Sequence, residues 1–194
     1  MTNRDLNLPN AISTLRILMV PPLLLLAFRG RSDIFTTLLA ISLLMDILDG
    51  YLARRLNQQT SLGAKLDSWG DFLTVLVYPG AAAWLQPALL KENALWVTAA
   101  ALAYITPIAY GFWKYGRLTS YHSRLMTVTA YVMGCAVISF FAGWSDLPLR
   151  VACVTLVVAA VEEISISVTL PVWHANVRNL QHARALRAQL GEHG

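Results

Sequence analysis

The sequence predicts an all-α membrane protein with six transmembrane helices, and three observations carry that prediction. Hydrophobic residues fill 56% of the 194 positions and charged residues only 13%, where ordinary soluble domains carry about 25% charged residues. Long uncharged runs recur along the chain, close to the ~20 residues a helix needs to cross a bilayer. The runs are continuous and lack the period-two alternation of a membrane β-barrel strand.

The first run, Ile17–Phe28, contains Pro21 and Pro22 and is short unless it extends back through Arg16. A kinked or tilted helix entered from a short N-terminal surface segment is expected there. The next four runs are Ile34–Met45, Phe72–Leu90, Asn93–Trp113 and Leu125–Ser145, and the sixth, Val151–Val177, is interrupted only by Glu162 and Glu163. The first ten residues are polar and precede no small-residue cleavage site, so no cleavable signal peptide is expected. With the N-terminus inside, eleven of the fifteen Lys and Arg residues fall on the inner side, and only Arg29, Arg31, Lys91 and Arg150 fall outside. The positive-inside rule then places both termini in the cytoplasm of a multi-pass inner-membrane protein.

No repeat, low-complexity tract or linker divides the chain, so residues 1–194 read as a single domain with a basic tail from about residue 178. The net charge of +4 suits anionic membrane lipids, and nucleic acid is a poor partner for so apolar a chain. Cys135 and Cys153 lie in apolar runs and read as buried, reduced thiols.

Four aspartates stand out against this background. The stretch Asp46-Ile-Leu-Asp49-Gly50-Tyr-Leu-Ala53-Arg54 is followed, after eight residues, by Gly63-Ala-Lys-Leu-Asp67-Ser-Trp-Gly-Asp71. At 100° per residue, Asp46, Asp49, Gly50, Ala53 and Arg54 share one broad helix face, and Gly63, Asp67 and Asp71 share a face of the next helix. The short polar connection between them makes antiparallel neighbours, so the carboxylates can converge across one seam. An aspartate at hydrocarbon depth costs roughly 2.5–3.5 kcal/mol, and hard divalent cations such as Mg²⁺ or Mn²⁺ are the natural counter-charge. A pair of such ions suits phosphoryl displacement. Gly50, Ala53 and Gly63 leave room for a phosphate-bearing ligand, and Arg54 can meet phosphate with its fork of donors.

The pattern D-x-x-D-G-x-x-A-R, eight residues, G-x-x-x-D-x-x-x-D resembles the signature of the CDP-alcohol phosphatidyltransferase family at every fixed position. That resemblance implies a dimeric six-helix membrane enzyme with a cytoplasm-facing site. Such an enzyme moves a phosphatidyl or related group from a CDP-linked lipid to an alcohol and releases CMP. It implies further that Asp46, Asp49, Asp67 and Asp71 bind two divalent cations and that Asp71 also takes the proton from the acceptor hydroxyl. Gly50, Arg54 and Thr60 match positions that contact the CDP moiety, with Ala53 and Gly63 part of the same motif. The segment Pro9-Asn10-Ala11-Ile12-Ser13-Thr14-Leu15-Arg16 resembles the P-N-x-x-(S/T)-x-x-R opening of the family, especially of its phosphatidylglycerophosphate synthases. Pro9, Asn10 and Ser13 are thereby candidate nucleotide-site residues, and Asn10 or Ser13 could equally be a helix N-cap.

The acceptor is less legible, with glycerol 3-phosphate as the leading expectation. Arg117 and Arg124, with Tyr121 and His122, could bind an anionic acceptor or serve as inside anchoring residues. The form Leu66-Asp67-Ser68-Trp69-Gly70-Asp71 departs from the L-D-P-x-A-D of phosphatidylglycerophosphate synthases toward phosphatidylserine synthases, which keeps serine and inositol or its phosphate open. One of Glu162 and Glu163 is expected to face the bundle interior, where it could bind an acceptor, pair with Arg124 or lie at a dimer seam. Two other classes also place carboxylates in membrane helices. An aspartate-rich prenyltransferase would not require the Gly50, Ala53, Arg54 pattern, and a cation transporter would spread its carboxylates along a crossing path.

Overall fold

A computed structural model describes residues 7–58, 60–116, 123–174 and 177–191. Helices account for the regular structure among them, with no strand. Five segments are long and apolar enough to cross a membrane: Leu8–Phe28, Ser32–Arg55, Ala94–Tyr115, Arg124–Phe141 and Leu147–Thr169. The remaining expected span, the third run Phe72–Leu90, falls largely in a 25-residue helix, Ser61–Leu85, whose first half carries Lys65, Asp67 and Asp71. The chain forms two compact units, one of residues up to Leu90 with Phe141–Trp144, the other of Lys91–Phe140 with Ser145 onward.

The first unit begins with α1 (Leu8–Leu18) and α2 (Val20–Phe28). Asn7 caps α1, its side chain accepting the Asn10 backbone N–H at 2.9 Å, so the cap lies upstream of both expected candidates, Asn10 and Ser13. Pro21 and Pro22 lack the N–H groups that would carry the ladder past Met19, and the expected break falls there. Gly30, with φ +67°, turns the chain into α3 (Ser32–Arg55), a backbone conformation that glycine adopts without strain. The last turn of α3 carries Arg54 and Arg55, favourably placed against its negative dipole end. Asn57, at φ 51°, completes the reversal, one of the few residue types besides glycine that enter this region readily.

Thr60 caps α4 (Ser61–Leu85), accepting the Gly63 N–H at 2.9 Å. The helix stops where Pro87 disfavours helical geometry at Gln86, and the rest of the third apolar run becomes the short α5 (Pro87–Glu92). Helices α1 and α2 pack on both α3 and α4. Leu23, Ala27, Phe35 and Leu39 are fully buried, and Phe35 meets Phe141 edge to face at 4.8 Å between ring centres.

In the second unit α6 (Ala94–Tyr115) pairs with α8 (Leu147–Thr169). Helix α6 ends at Gly116 with φ +66°. Ser123 caps α7 (Arg124–Phe141) by accepting the Met126 N–H at 3.1 Å. The Lys114 ammonium donates to the Ser167 and Leu170 carbonyls at 2.6 and 2.9 Å, and the single proton of the Tyr115 hydroxyl is directed at the same pair, 2.9 and 3.0 Å away. They satisfy the otherwise open C-terminal end of α8. The tail forms α9 (Leu180–Gly191), with Ala183 buried beside Ile166, Leu170 and Val177 and with Arg184 and Arg187 exposed.

Of the two thiols, Cys153 is buried as expected, but Cys135 is exposed on α7. The adjoining Ala136 and Val137, with Phe140, occupy the packed side of that helix instead. Both cysteines are free.

At the start of α8, Asp146 accepts from Arg150 at 2.5 Å, and Arg150 also donates to the fully buried Asn93 at 3.2 Å. Hydrogen bonding from Asn93, then from Arg150, holds the Asp146 carboxyl below its ordinary 3.8. A depressed carboxylate stabilises the fold above its unfolded pKa and loses that contribution as pH falls through the folded value. Asp146→Asn should therefore lower the melting temperature of the detergent-solubilised protein at pH 6. The gap to the parent protein should close as the pH is taken below about 3.8, as thermal melts at a series of pH values would show.

Candidate active site

The candidate site is built where three helices of the first unit meet, and its carboxylates come from two of them. Asp46 and Asp49 project from the last three turns of α3, and Asp67 from the second turn of α4. One oxygen from each lies within 4.8 Å of the others. At an effective dielectric near 20, two unit charges at that separation repel by about 3.5 kcal/mol. The cluster persists only with positive charge brought to it.

Part of that charge is Arg16 of α1, which is 2% exposed. Its Nη1 is paired with Asp46 Oδ1 and lies 3.3 Å from Asp71 Oδ1, and its Nη2 lies 3.3 Å from Asp67 Oδ1. The same Nη2 donates to the Asp67 backbone carbonyl at 2.9 Å. One guanidinium against four carboxylates still leaves three negative charges. The donors are all oxygen, the ligand type that Mg²⁺ and Mn²⁺ prefer, so the residues fit the cation expected from the sequence.

The four aspartates are not equivalent. Asp49 is 3% exposed and its Oδ2 accepts the Ser13 hydroxyl at 2.5 Å. Asp46 and Asp67 are partly open, and Asp71, the most exposed side chain at 58%, stands outside the close group of three. Ser13 Oγ also lies 3.2 Å from the Pro9 carbonyl, so the hydroxyl sits between the α1 backbone and the deepest carboxylate.

Residues expected at the nucleotide line the same seam. Asn10 is buried and its Nδ2 donates to Thr60 Oγ1 at 3.1 Å, while the same Thr60 oxygen caps α4. Asn7 adds a bond from Nδ2 to the Gln58 carbonyl at 3.2 Å, tying the start of α1 to the α3–α4 connection. A Cβ at Gly63 would stand 2.5 Å from Asn10 Oδ1 and 3.1 Å from Thr60 Oγ1, so only glycine lets these two helices approach so closely. Pro9 is buried and Ala53 partly buried. The exposed Arg54 side chain folds back over Gly50, its Nη1 lying 3.5 Å from where a Cβ there would be.

The acceptor candidates lie apart from this description. Arg117, Tyr121 and His122 fall outside the described residues. In the second unit, Arg124 is exposed and gives its backbone N–H to the Arg178 carbonyl at 3.1 Å. Glu163 is 6% exposed and Glu162 partly buried, which agrees with one of the pair facing inward. Among the described residues Arg124 forms no ion pair with either. Arg16 is the residue that sequence reasoning passed over as a member of the site. Its signal was present, since it lies three residues after Ser13 and seven after Pro9 and therefore shares their helix face.

Comparison with known proteins points the same way as the geometry. Over 79 residues the chain is 42% identical to a Pseudomonas fluorescens CDP-diacylglycerol–glycerol-3-phosphate 3-phosphatidyltransferase, covering 37% of this chain and 38% of that protein. Over 108 residues it is 40% identical to a Streptomyces coelicolor cardiolipin synthase (CMP-forming), covering 53% of this chain and 48% of the other. An Aquifex aeolicus protein with the same name as the Pseudomonas one is 35% identical over 77 residues, or 38% of this chain and 43% of its own length. The matches thus span about two fifths to one half of these relatives. No solved structure matches the chain. A sequence model of CDP-alcohol phosphatidyltransferases matches residues 6–164, which takes in α1, the whole aspartate seam and both membrane glutamates, and the chain therefore belongs to the CDP-alcohol phosphatidyltransferase family.

Proposed function

We propose that this chain transfers the phosphatidyl group of CDP-diacylglycerol to a small alcohol, glycerol 3-phosphate foremost, and releases CMP. The observation that carries the reading is the gathering of Asp46, Asp49 and Asp67 within 4.8 Å at one end of two helices. A transporter would distribute its carboxylates along a crossing path. The names of the Pseudomonas and Aquifex relatives support glycerol 3-phosphate as acceptor.

In this reading Asp46, Asp49 and Asp67, with Asp71 at the rim, hold two divalent cations, Mg²⁺ or Mn²⁺. The cations supply positive charge to the diphosphate of the donor. Asn10, Thr60 and Gly63 border the nucleotide, with Pro9 and Ser13 setting the helix beside it. Gly50 and Ala53 keep the seam free of bulk, and Arg54 offers paired N–H donors to phosphate oxygens. Asp71, the most open carboxylate, receives the acceptor's hydroxyl proton as that oxygen attacks the lipid-bearing phosphorus, and CMP departs with the bonding electrons. The charge of glycerol 3-phosphate is met by Arg117, His122 or Arg124, with Glu162 reserved for an amine-bearing acceptor. The protein works as a multi-pass inner-membrane homodimer with its site and termini facing the cytoplasm, each chain a single domain.

A second reading keeps the chemistry and changes the acceptor to an alcohol carried on another lipid. It is favoured by the cardiolipin synthase, whose match covers more of this chain than that of the Pseudomonas protein. CMP release by purified protein in detergent with CDP-diacylglycerol and Mg²⁺ separates the two. Glycerol 3-phosphate should give acceptor-dependent CMP, whereas release with phosphatidylglycerol alone would establish the lipid acceptor. Release with serine or inositol phosphate would replace both.

Asp71→Asn should leave CDP affinity within about threefold of the parent protein and lower transfer by roughly 10²–10⁴, the usual worth of a positioned base. Asp46→Asn should weaken Mn²⁺ and CDP binding together, and equal loss of nucleotide affinity in both variants would count against a separate base. Gly63→Ala forces Asn10 aside and should raise the KM for the CDP-lipid about tenfold, roughly 1.4 kcal/mol, with little change in kcat. A fall in kcat at unchanged KM would place Gly63 outside the nucleotide subsite.

A further inference from the structure

Arg16 is positioned to do more than offset charge. Its guanidinium is buried, reaches both carboxylate-bearing helices, and is fixed by a bond that does not involve a carboxylate, from Nη2 to the Asp67 backbone carbonyl at 2.9 Å. That anchor holds the group in place whatever the charge state of the cluster. It lies against α4 at Gly70, where a Cβ would come within 2.7 Å of Nε and 2.9 Å of Cζ, so the flat ion packs directly on helix backbone. It meets Asp46, Asp67 and Asp71 each at Oδ1. Ser13, one turn earlier, holds Asp49 by Oδ2. One face of α1 thus grips one oxygen of every aspartate in the motif.

We infer that Arg16 is a positioning residue that sets Asp67 and Asp71 of α4 in register with Asp46 of α3, so that the carboxylates present a preformed cation site. The inference rests on the proposed role of these aspartates as ligands of divalent cations. It makes a signed prediction, because the two effects of removing the arginine oppose each other. As a mere charge beside the site, Arg16 repels an incoming cation, and its loss would tighten binding. As the residue that fixes ligand geometry, its loss weakens binding, since ligands left without supporting bonds must be ordered at the moment the ion arrives.

The test is Mn²⁺ binding to purified full-length protein in detergent, followed by the electron paramagnetic resonance of free Mn²⁺, for the parent protein and for Arg16→Gln and Arg16→Lys. Arg16→Gln should raise the Kd at least tenfold, and Arg16→Lys, which keeps the charge but cannot span both helices with a fork, should recover only part of the loss. The Mn²⁺ concentration for half-maximal CMP release should rise in parallel, with most of kcat regained at saturating Mn²⁺. A general loss of folded protein would instead lower activity equally at every concentration. If Arg16→Gln does not fold, Arg16→Lys alone still decides the sign. Unchanged or tighter binding in a folded variant overturns the inference while leaving the aspartates as ligands, whereas no Mn²⁺ binding by the parent protein overturns the ligand reading itself.

Discussion

Mutual repulsion among carboxylates is the constraint that governs the first half of this molecule. Aspartates drawn within 4.8 Å of one another at the end of apolar helices would separate if the surroundings let them. The fold prevents this by building a third helix against the pair. Helix α1 contributes a hydroxyl to the deepest carboxylate and a guanidinium to the others, and leaves residual negative charge for an ion to satisfy. This is differential design in its simplest form: enough compensation to fold, too little to be electrically content without a ligand.

The same helix explains how the seam is kept narrow. In a membrane the hydrophobic effect gives helices no reason to prefer one another over lipid, so close backbone approach and interhelical hydrogen bonds must do the work. Asn7 and Asn10 reach the α3–α4 connection and the cap of α4, and Gly63 gives way to Asn10. The caps that start two of the helices are therefore also the fasteners between them. Binding groups and structural groups are the same atoms here, which is economical in a chain of this size.

Much of this was legible in the sequence for a simple reason: hydropathy and helical spacing act locally. The apolar runs became helices, the proline pair broke the first of them, and the spacings of three and four placed the aspartates on facing sides of α3 and α4. What could not be read was set by contacts between distant residues. The helix face of Arg16 was readable from its spacing to Pro9 and Ser13, but its partners were not, because they depend on which helices lie beside α1. The cap on α1 fell at Asn7 because its side chain, unlike those of Asn10 and Ser13, lies before the first turn. Cys135 looked buried because its neighbours are apolar, yet in a helix surrounded by lipid an apolar residue has no preference for the inside, so hydropathy alone does not tell the two faces apart. The apolar run behind α4 overstated its length, since Pro87 ended the helix within it.

The connection between α3 and α4 carries a further implication, which concerns how such a chain can vary through descent. Asn57, Gln58 and Thr60 are each committed, by backbone conformation, by a carbonyl given to Asn7 and by a cap. A residue gained or lost within either helix between its site residues would turn the carboxylates beyond it by about 100°, away from their partners. Apolar side chains facing lipid can be exchanged for others freely, because the surroundings do not distinguish them. The stretch from Asp46 to Asp71 is thus open to substitution at its outer positions but closed to insertion and deletion, and its length is more tightly specified than most of its letters.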